Sequence, residues 1–181
     1  SWIKGRGLDY GGFKLANVKN EKVNFGPIST FSSLAIVSEN RVFLKPKKMS
    51  KVEAVLYGCA TPTGAGIVLN QLKEILKNHK VCLVGVGGVG MAALLALRSK
   101  KPKIFIIEKN IKKQYFLKKF NLNIIKNEDI KNYKNYFDFC IETSGSISMI
   151  EKGFDLIKKK GKLIFASHPK DSKKIKLKPH D

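Results

Sequence analysis

Arginine is nearly missing from this chain. Of 35 basic residues only Arg6, Arg41 and Arg98 carry a guanidinium, leaving 32 lysines against 14 acidic residues. Proteins that read nucleic-acid sequence lean on arginine for bidentate contacts to guanine and phosphate. The net charge of +21 therefore reads as a solvated lysine surface rather than a nucleic-acid interface. Isoleucine and asparagine are abundant beside lysine, the mixture that a coding sequence poor in G and C produces. Cysteine is scarce too. Cys59, Cys82 and Cys140 form no CxxC pair and no even-numbered framework, which excludes a disulfide scaffold and suits a reducing, cytoplasmic compartment. Long hydrophobic runs are absent as well: the uncharged stretch 81–97, VCLVGVGGVGMAALLAL, has 17 residues, short of the ~20 that cross a bilayer. No secretory signal opens the chain. Its first residues, SWIKGRGLDY, lack an initiator Met and read as the inside of a longer protein.

What is present is alternation. From residue 61 the chain swings between short, fully apolar runs and amphipathic ones. TPTGAGIVLNQLKEILKN predicts a helix with Thr61 as N-cap and Pro62 at its first position, where a missing N–H costs nothing; Val68, Leu72, Ile75 and Leu76 follow at helical spacing. KVCLVG, KIFIIEKN, LNII, YFDFCIETSG and GKLIFASHP predict five strands. Between them GMAALLALRSK, IKKQYFLKKF and ISMIEKGFDLIKKK predict helices. Apolar strands separated by amphipathic helices predict an α/β fold, a doubly wound parallel sheet of Rossmann type. Residues 1–59, rich in Gly and Asn with β-type runs in STFSSLAIVSENRVFLKP, read as part of a separate β unit, and 60–181 as the sheet domain.

The turn VGVGGVG places Gly85, Gly87 and Gly90 in the G-x-G-x-x-G spacing, after a strand and opening a helix. Gly85 serves the tight turn, Gly87 the close approach of a pyrophosphate, and Gly90 the packing of helix on strand. Glu108 ends the next strand, 18 residues beyond Gly90. An acid there accepts from both adenosine ribose hydroxyls and repels a 2′-phosphate, which predicts NAD over NADP; Lys109, Lys112 and Lys113 soften that preference. A methyltransferase or nucleotide-sugar fold with a similar loop is the bland alternative.

Cys59 lies just ahead of the Thr61–Pro62 helix start, where the positive helix end favours thiolate. It is read as nucleophile or metal ligand. No histidine adjoins it as a base, so a soft ligand for zinc fits better. Cys82 and Cys140 fall inside apolar strands and are expected in the core. NYKNYF, residues 132–137, interleaves aromatics with lysine but is expected to cover a sheet end rather than stack on bases. His79, His168 and His180 read as surface residues.

Together, YGCATPTGAG, VCLVGVGGVG, IIEKNIKK, FDFCIETSG and GKLIFASHP resemble blocks of the zinc-containing medium-chain dehydrogenases, the alcohol, polyol and threonine dehydrogenase family. GPISTFSSLAIVSENRVFLKP resembles the last strands of that family's GroES-like catalytic domain. The resemblance implies Cys59 as a ligand of a catalytic Zn2+ and Thr63 beside the nicotinamide. It implies Gly85, Gly87, Gly88, Val89 and Gly90 as the pyrophosphate turn, Glu108 as the ribose acid and Lys113 beside the adenosine ribose. Thr143, Ser144 and Gly145 would border the cofactor after the fourth strand, and Ala166 and Ser167 after the fifth. The family's remaining cysteine and histidine zinc ligands would lie upstream of Ser1, and no cysteine marks its four-cysteine structural lobe here. The expectation is the middle of a longer zinc-dependent, NAD-linked oxidoreductase, inactive alone and a homo-oligomer at full length. It would act on a small alcohol or carbonyl, without nucleic-acid or membrane partners. A zinc-free quinone or enoyl reductase of the same superfamily, or a basic nucleic-acid-binding module, are the alternatives.

Overall fold

The structure is a computed structural model, described at residues 17, 18, 21, 22, 33, 39, 42–167 and 174–177. Contacts divide the chain into two units, Ser1–Met49 and Ser50–Asp181, so Ser50–Cys59 goes with the sheet. The first unit contributes an antiparallel pair, β1 (Asn17–Val18) and β2 (Glu21–Lys22). Most of the GroES-like expectation lies outside the described residues, and Val42–Lys45, within its β-type run, belongs to no strand.

In the second unit, Ser50 starts α1 (Lys51–Leu56) with a reciprocal capping box: its hydroxyl accepts from Glu53 N, and the Glu53 carboxylate accepts from Ser50 N. The helix was not predicted, although Ser-x-x-Glu is its signature. Next comes α2 (Ala60–Gly66), which corrects the expected start. Cys59, not Thr61, is the N-cap, because its carbonyl already accepts from Thr63 N at 3.1 Å. Pro62 thus falls at the third helical position, still among the N–H groups a helix leaves unpaired. The helix does not run to residue 78. It widens into a π-helical turn, Ile67–Gln71, and stops at Leu72. Val68, Leu72 and Ile75 are buried as expected, while Leu76 is exposed.

The sheet is parallel in the order β5-β4-β3-β6-β7: β3 (Lys80–Val84), β4 (Lys103–Ile107), β5 (Asn123–Ile124), β6 (Phe137–Glu142) and β7 (Ile157–Phe165). The helices α3 (Gly88–Lys100), α4 (Ile111–Lys118) and α5 (Ile147–Leu156) connect them. Five strands were predicted and five are present, confirming the doubly wound class. One boundary needs correction. Ile157–Lys160 were expected to finish the helix, but Ile157 already pairs with Phe137 in β7, the register shifts before Phe139, and Lys160 takes φ 65° to absorb it. The lysine run continues a helical spacing, yet strand pairing wins.

Two clusters fill the faces. Val68, Leu72, Val81, Leu83, Leu94, Leu97, Ile106 and Ile141 form one. Cys82, Val84, Phe137, Cys140 and Leu156 belong to the other. Each such aliphatic side chain stabilises the fold by about 1.5–3 kcal/mol. Cys82 and Cys140 are core residues, paired across β3 and β6; a hydrogen bond to the Cys140 sulfur, with burial, pushes the Cys82 thiol well up. The NYKNYF aromatics also turn inward. Tyr133, Tyr136 and Phe137 pack edge-on or stacked with one another and with Phe105, and Lys80 Nζ sits 3.8 Å from the Tyr136 ring centre.

Asp138 holds the N-terminal edge of the sheet: Lys80 N donates to Oδ2 at 2.8 Å and Lys158 Nζ to Oδ1 at 2.9 Å. Burial pushes this carboxyl up, but the Lys80 N–H and the Lys158 ammonium outweigh it and hold it below the ordinary aspartate range. A depressed pKa stabilises the fold above the unfolded value and loses that contribution as pH falls through the folded one. Asp138→Asn should therefore cost about 1 kcal/mol near neutrality. Melting curves of the two proteins should converge as pH drops below about 4; a gap independent of pH would refute this account.

Candidate functional site at the switch point

The strand order reverses between β3 and β6, and open α/β sheets bind ligands in the crevice outside the strand ends at that point. The loops after β3 and β6 meet there. Gly85 takes φ 80°, and a methyl group on it would sit 2.9 Å from Ser144 N and Cβ. Gly90 is packed harder: a methyl there would lie 2.2 Å from the Gly85 carbonyl oxygen and 2.7 Å from Thr143 Oγ1. Thr143 closes the joint, its hydroxyl donating to Gly85 O at 2.8 Å and its N–H to Val84 O at 2.8 Å. Gly87 differs from both. It is the N-cap of α3, no side chain caps the helix, and a methyl on Gly87 would meet nothing within 4 Å. The first-turn N–H groups of Gly88, Val89 and Gly90 thus end at an open approach, the arrangement that accepts an anion.

Glu108 borders the turn on the β4 side. It is only 8% exposed; Oε2 accepts from Val86 N at 2.7 Å and Oε1 from Asn110 N at 2.9 Å. An ionised carboxylate offers about four lone-pair sites, so two bonds to the backbone leave room for ribose hydroxyls. Asn110 caps α4 through Lys113 N, which puts exposed Lys113 in the first turn of that helix, three positions from the cap.

Cys59 reaches the same neighbourhood through α2. That helix crosses α3 at backbone contact: a methyl on Gly64 would lie 2.1 Å from Val89 O, and one on Gly88 would lie 3.2 Å from Ala60 Cβ. Cys59, next to Ala60, is free and exposed. Thr63 turns back on its own helix, donating its hydroxyl to Cys59 O at 2.8 Å. Among the described residues no group of three or more His, Cys, Asp or Glu could hold a metal ion. Zinc takes three or four protein ligands, so the Cys59 thiol by itself does not make a zinc site among the described residues.

Glu142 was missed by the sequence reading. It ends β6, is fully buried, and accepts four hydrogen bonds. Ser144 N, the Ser144 hydroxyl and Gly145 N donate to Oε1, the backbone pair at 2.7 and 3.1 Å, and the Ser167 hydroxyl donates to Oε2 at 2.6 Å. Ala166 N donates to the Glu142 carbonyl at 2.9 Å. The sequence shows there only an acid ending an apolar strand ahead of Thr-Ser-Gly, which does not mark a clamp. His168 and His180 lie outside the described residues. No described helix is long and apolar enough to cross a membrane.

An open cleft of about 530 Å³ lies at the opposite end of the sheet, lined by Lys80, Lys103, Asn121, Asn123 and Tyr136. It shares no residue with the switch point.

No family model matches the sequence, and no curated protein matches it. Solved structures do. Benzyl alcohol dehydrogenase from Acinetobacter calcoaceticus is 24% identical with a TM-score of 0.76, over 92% of this chain and 49% of that one. The chain has the fold of the alcohol dehydrogenases. An alcohol dehydrogenase zinc-binding domain protein from Burkholderia ambifaria is 23% identical with a TM-score of 0.71, over 83% and 43%. CurK enoyl reductase is 23% identical with a TM-score of 0.57, over 69% and 40%. The chain spans about half the length of the first two, and its parallel-sheet domain has the fold that the resemblance implied.

Proposed function

We propose that this chain is the cofactor-binding part of an oxidoreductase that moves hydride between an alcohol-type substrate and NAD(H). One observation carries the reading: the open approach at Gly87, between buried Glu108 and the Thr143–Gly145 loop, at the point where the strand order reverses. Gly88, Val89 and Gly90 would receive the diphosphate on their N–H groups. Glu108 would accept from the adenosine ribose and disfavour a 2′-phosphate, with Lys113 beside it. Thr143, Ser144, Gly145, Ala166 and Ser167 would border the nicotinamide half, and Thr63 would face it from α2. The bound dinucleotide supplies the hydride chemistry, while the protein supplies position and exclusion of water. Calorimetric titration with NADH, set against RNA in rising salt, tests the reading. Saturable NADH binding that survives moderate salt supports it; RNA binding that weakens steeply with salt, with none for NADH, replaces it with the basic-module alternative.

We further propose a small alcohol or carbonyl as substrate, no nucleic-acid or membrane partner, a cytoplasmic setting that suits three free cysteines, and homo-oligomers in the full-length enzyme. Zinc is kept apart from the chemistry above, since Cys59 alone does not hold it. The fold leaves the enoyl-reductase alternative standing, because CurK and the Burkholderia protein are each 23% identical to this chain. Metal analysis of the full-length protein separates the two. If Cys59 is a ligand, Cys59→Ala loses the zinc that the parent retains and keeps NADH affinity; zinc retained by the variant removes Cys59 from the site, and a zinc-free parent favours the reductase.

A further inference from the structure

We propose that Glu142 is a positioning residue that sets the nicotinamide side of the crevice by tying the loop after β6 to the loop after β7; this rests on the dinucleotide reading above. A carboxylate is costly to bury unless its acceptor sites are filled, and here donors come from two separate loops. Oε1 gathers Ser144 N, the Ser144 hydroxyl and Gly145 N, while Oε2 takes the Ser167 hydroxyl at 2.6 Å. No other described side chain hydrogen-bonds to both loops. The Ser144 end is the critical one. Ser144 backs onto the glycine turn so closely that even a methyl on Gly85 would meet its Cβ and N at 2.9 Å. Glu142 therefore holds Ser144 against the floor of the diphosphate turn and Ser167 against the same carboxylate, so the two loops and the turn keep one spacing.

Direction follows from the topology. The strand order β5-β4-β3-β6-β7 puts Glu108, at the end of β4, on one side of the turn and the β6 and β7 loops on the other. With the adenosine toward Glu108 and the diphosphate on α3, the remaining half of the dinucleotide faces the loops that Glu142 ties. Loosening Glu142 should therefore weaken a whole dinucleotide and spare its adenosine-diphosphate half. General destabilisation cannot produce that split, because it lowers the folded fraction for both ligands alike.

The test is calorimetric titration of the 181-residue chain and its variants with NADH and, separately, with ADP. Glu142→Ala should bind NADH about tenfold or more weakly, as expected for losing charge-assisted bonds, with ADP affinity held within about twofold. Glu142→Gln should recover most of the NADH affinity, since its amide oxygen can accept from residues 144 and 145 while the Ser167 hydroxyl rotates to accept from its NH2. Ser167→Ala, which deletes only the link to the β7 loop, should show a smaller loss confined to NADH, and it carries the test should Glu142→Ala fail to fold. Equal losses for NADH and ADP, or no loss in Ser167→Ala and Glu142→Ala, overturn the proposal. Absence of both NADH and ADP binding in the parent would instead remove the dinucleotide reading on which it stands.

Discussion

Gly90→Ala should lower the melting temperature by roughly 10 °C and abolish NADH binding, whereas Gly87→Ala should leave melting nearly unchanged and still weaken NADH by about tenfold or more. The two substitutions add the same methyl group three residues apart, and the structure separates their effects. At Gly90 that methyl would lie 2.2 Å from a backbone carbonyl of the very turn it supports. A carbonyl fixed in the turn cannot swing aside as a flexible side chain does, so either α3 lifts from β3 or the turn opens. Overpacking of this kind costs about 3 kcal/mol. At Gly87 the methyl meets nothing within 4 Å, and φ is −83°, a value that alanine adopts without strain. The folded state should not register it. A diphosphate lying on the first turn of α3 would, because the methyl occupies the space through which it approaches. Thermal melts and NADH titrations of both variants check the pair. Equal destabilisation by the two, or Gly87→Ala with unaltered affinity, would contradict the assignment.

Glu108→Ala should cut NADH affinity by about tenfold or more while leaving NADPH affinity unchanged or improved, so that the preference narrows or reverses. Glu108 also anchors the backbone, accepting from Val86 N and Asn110 N, and removing it strands donors around a buried side chain. A stability loss of about 2 kcal/mol is therefore expected as well. The ratio of the two affinities is the informative quantity, since a reduced folded fraction cancels from it. The lysines nearby, Lys109, Lys112 and Lys113, are exposed and available to a 2′-phosphate once the carboxylate is gone. An unchanged NADH to NADPH ratio would show that Glu108 is only a structural anchor of the turn.

The parts of this molecule legible in the sequence were those with a local cause. G-x-G-x-x-G can be read because each glycine answers a constraint within a few residues, and the structure gives Gly85 its positive φ and Gly90 its close contact. The apolar strands were legible for the same reason: burial on both faces leaves no room for alternation. Glu142 was not. Its importance depends on Ser167, 25 residues away, and nothing in FDFCIE distinguishes a clamp from an ordinary strand end. The start of β7 was hidden because Lys158–Lys160 extend a helical spacing, and only pairing with Phe137 decides otherwise. The missed α1 is a different failure, since Ser50 and Glu53 displayed the capping box openly. Cys59 was correctly placed at a helix tip, yet the helix starts two residues earlier than Thr61 suggested, because a carbonyl, not a hydroxyl, makes the starting bond.

Backbone amide NMR of the chain, titrated with NADH, asks most directly where an adenine dinucleotide sits. The account predicts that the resonances of Val86 to Gly90 and Thr143 to Gly145 shift first and furthest, while Lys80, Lys103 and Asn121 in the cleft at the other end of the sheet stay still. Shifts centred on that cleft, or spread over exposed lysines and erased by salt, would contradict it.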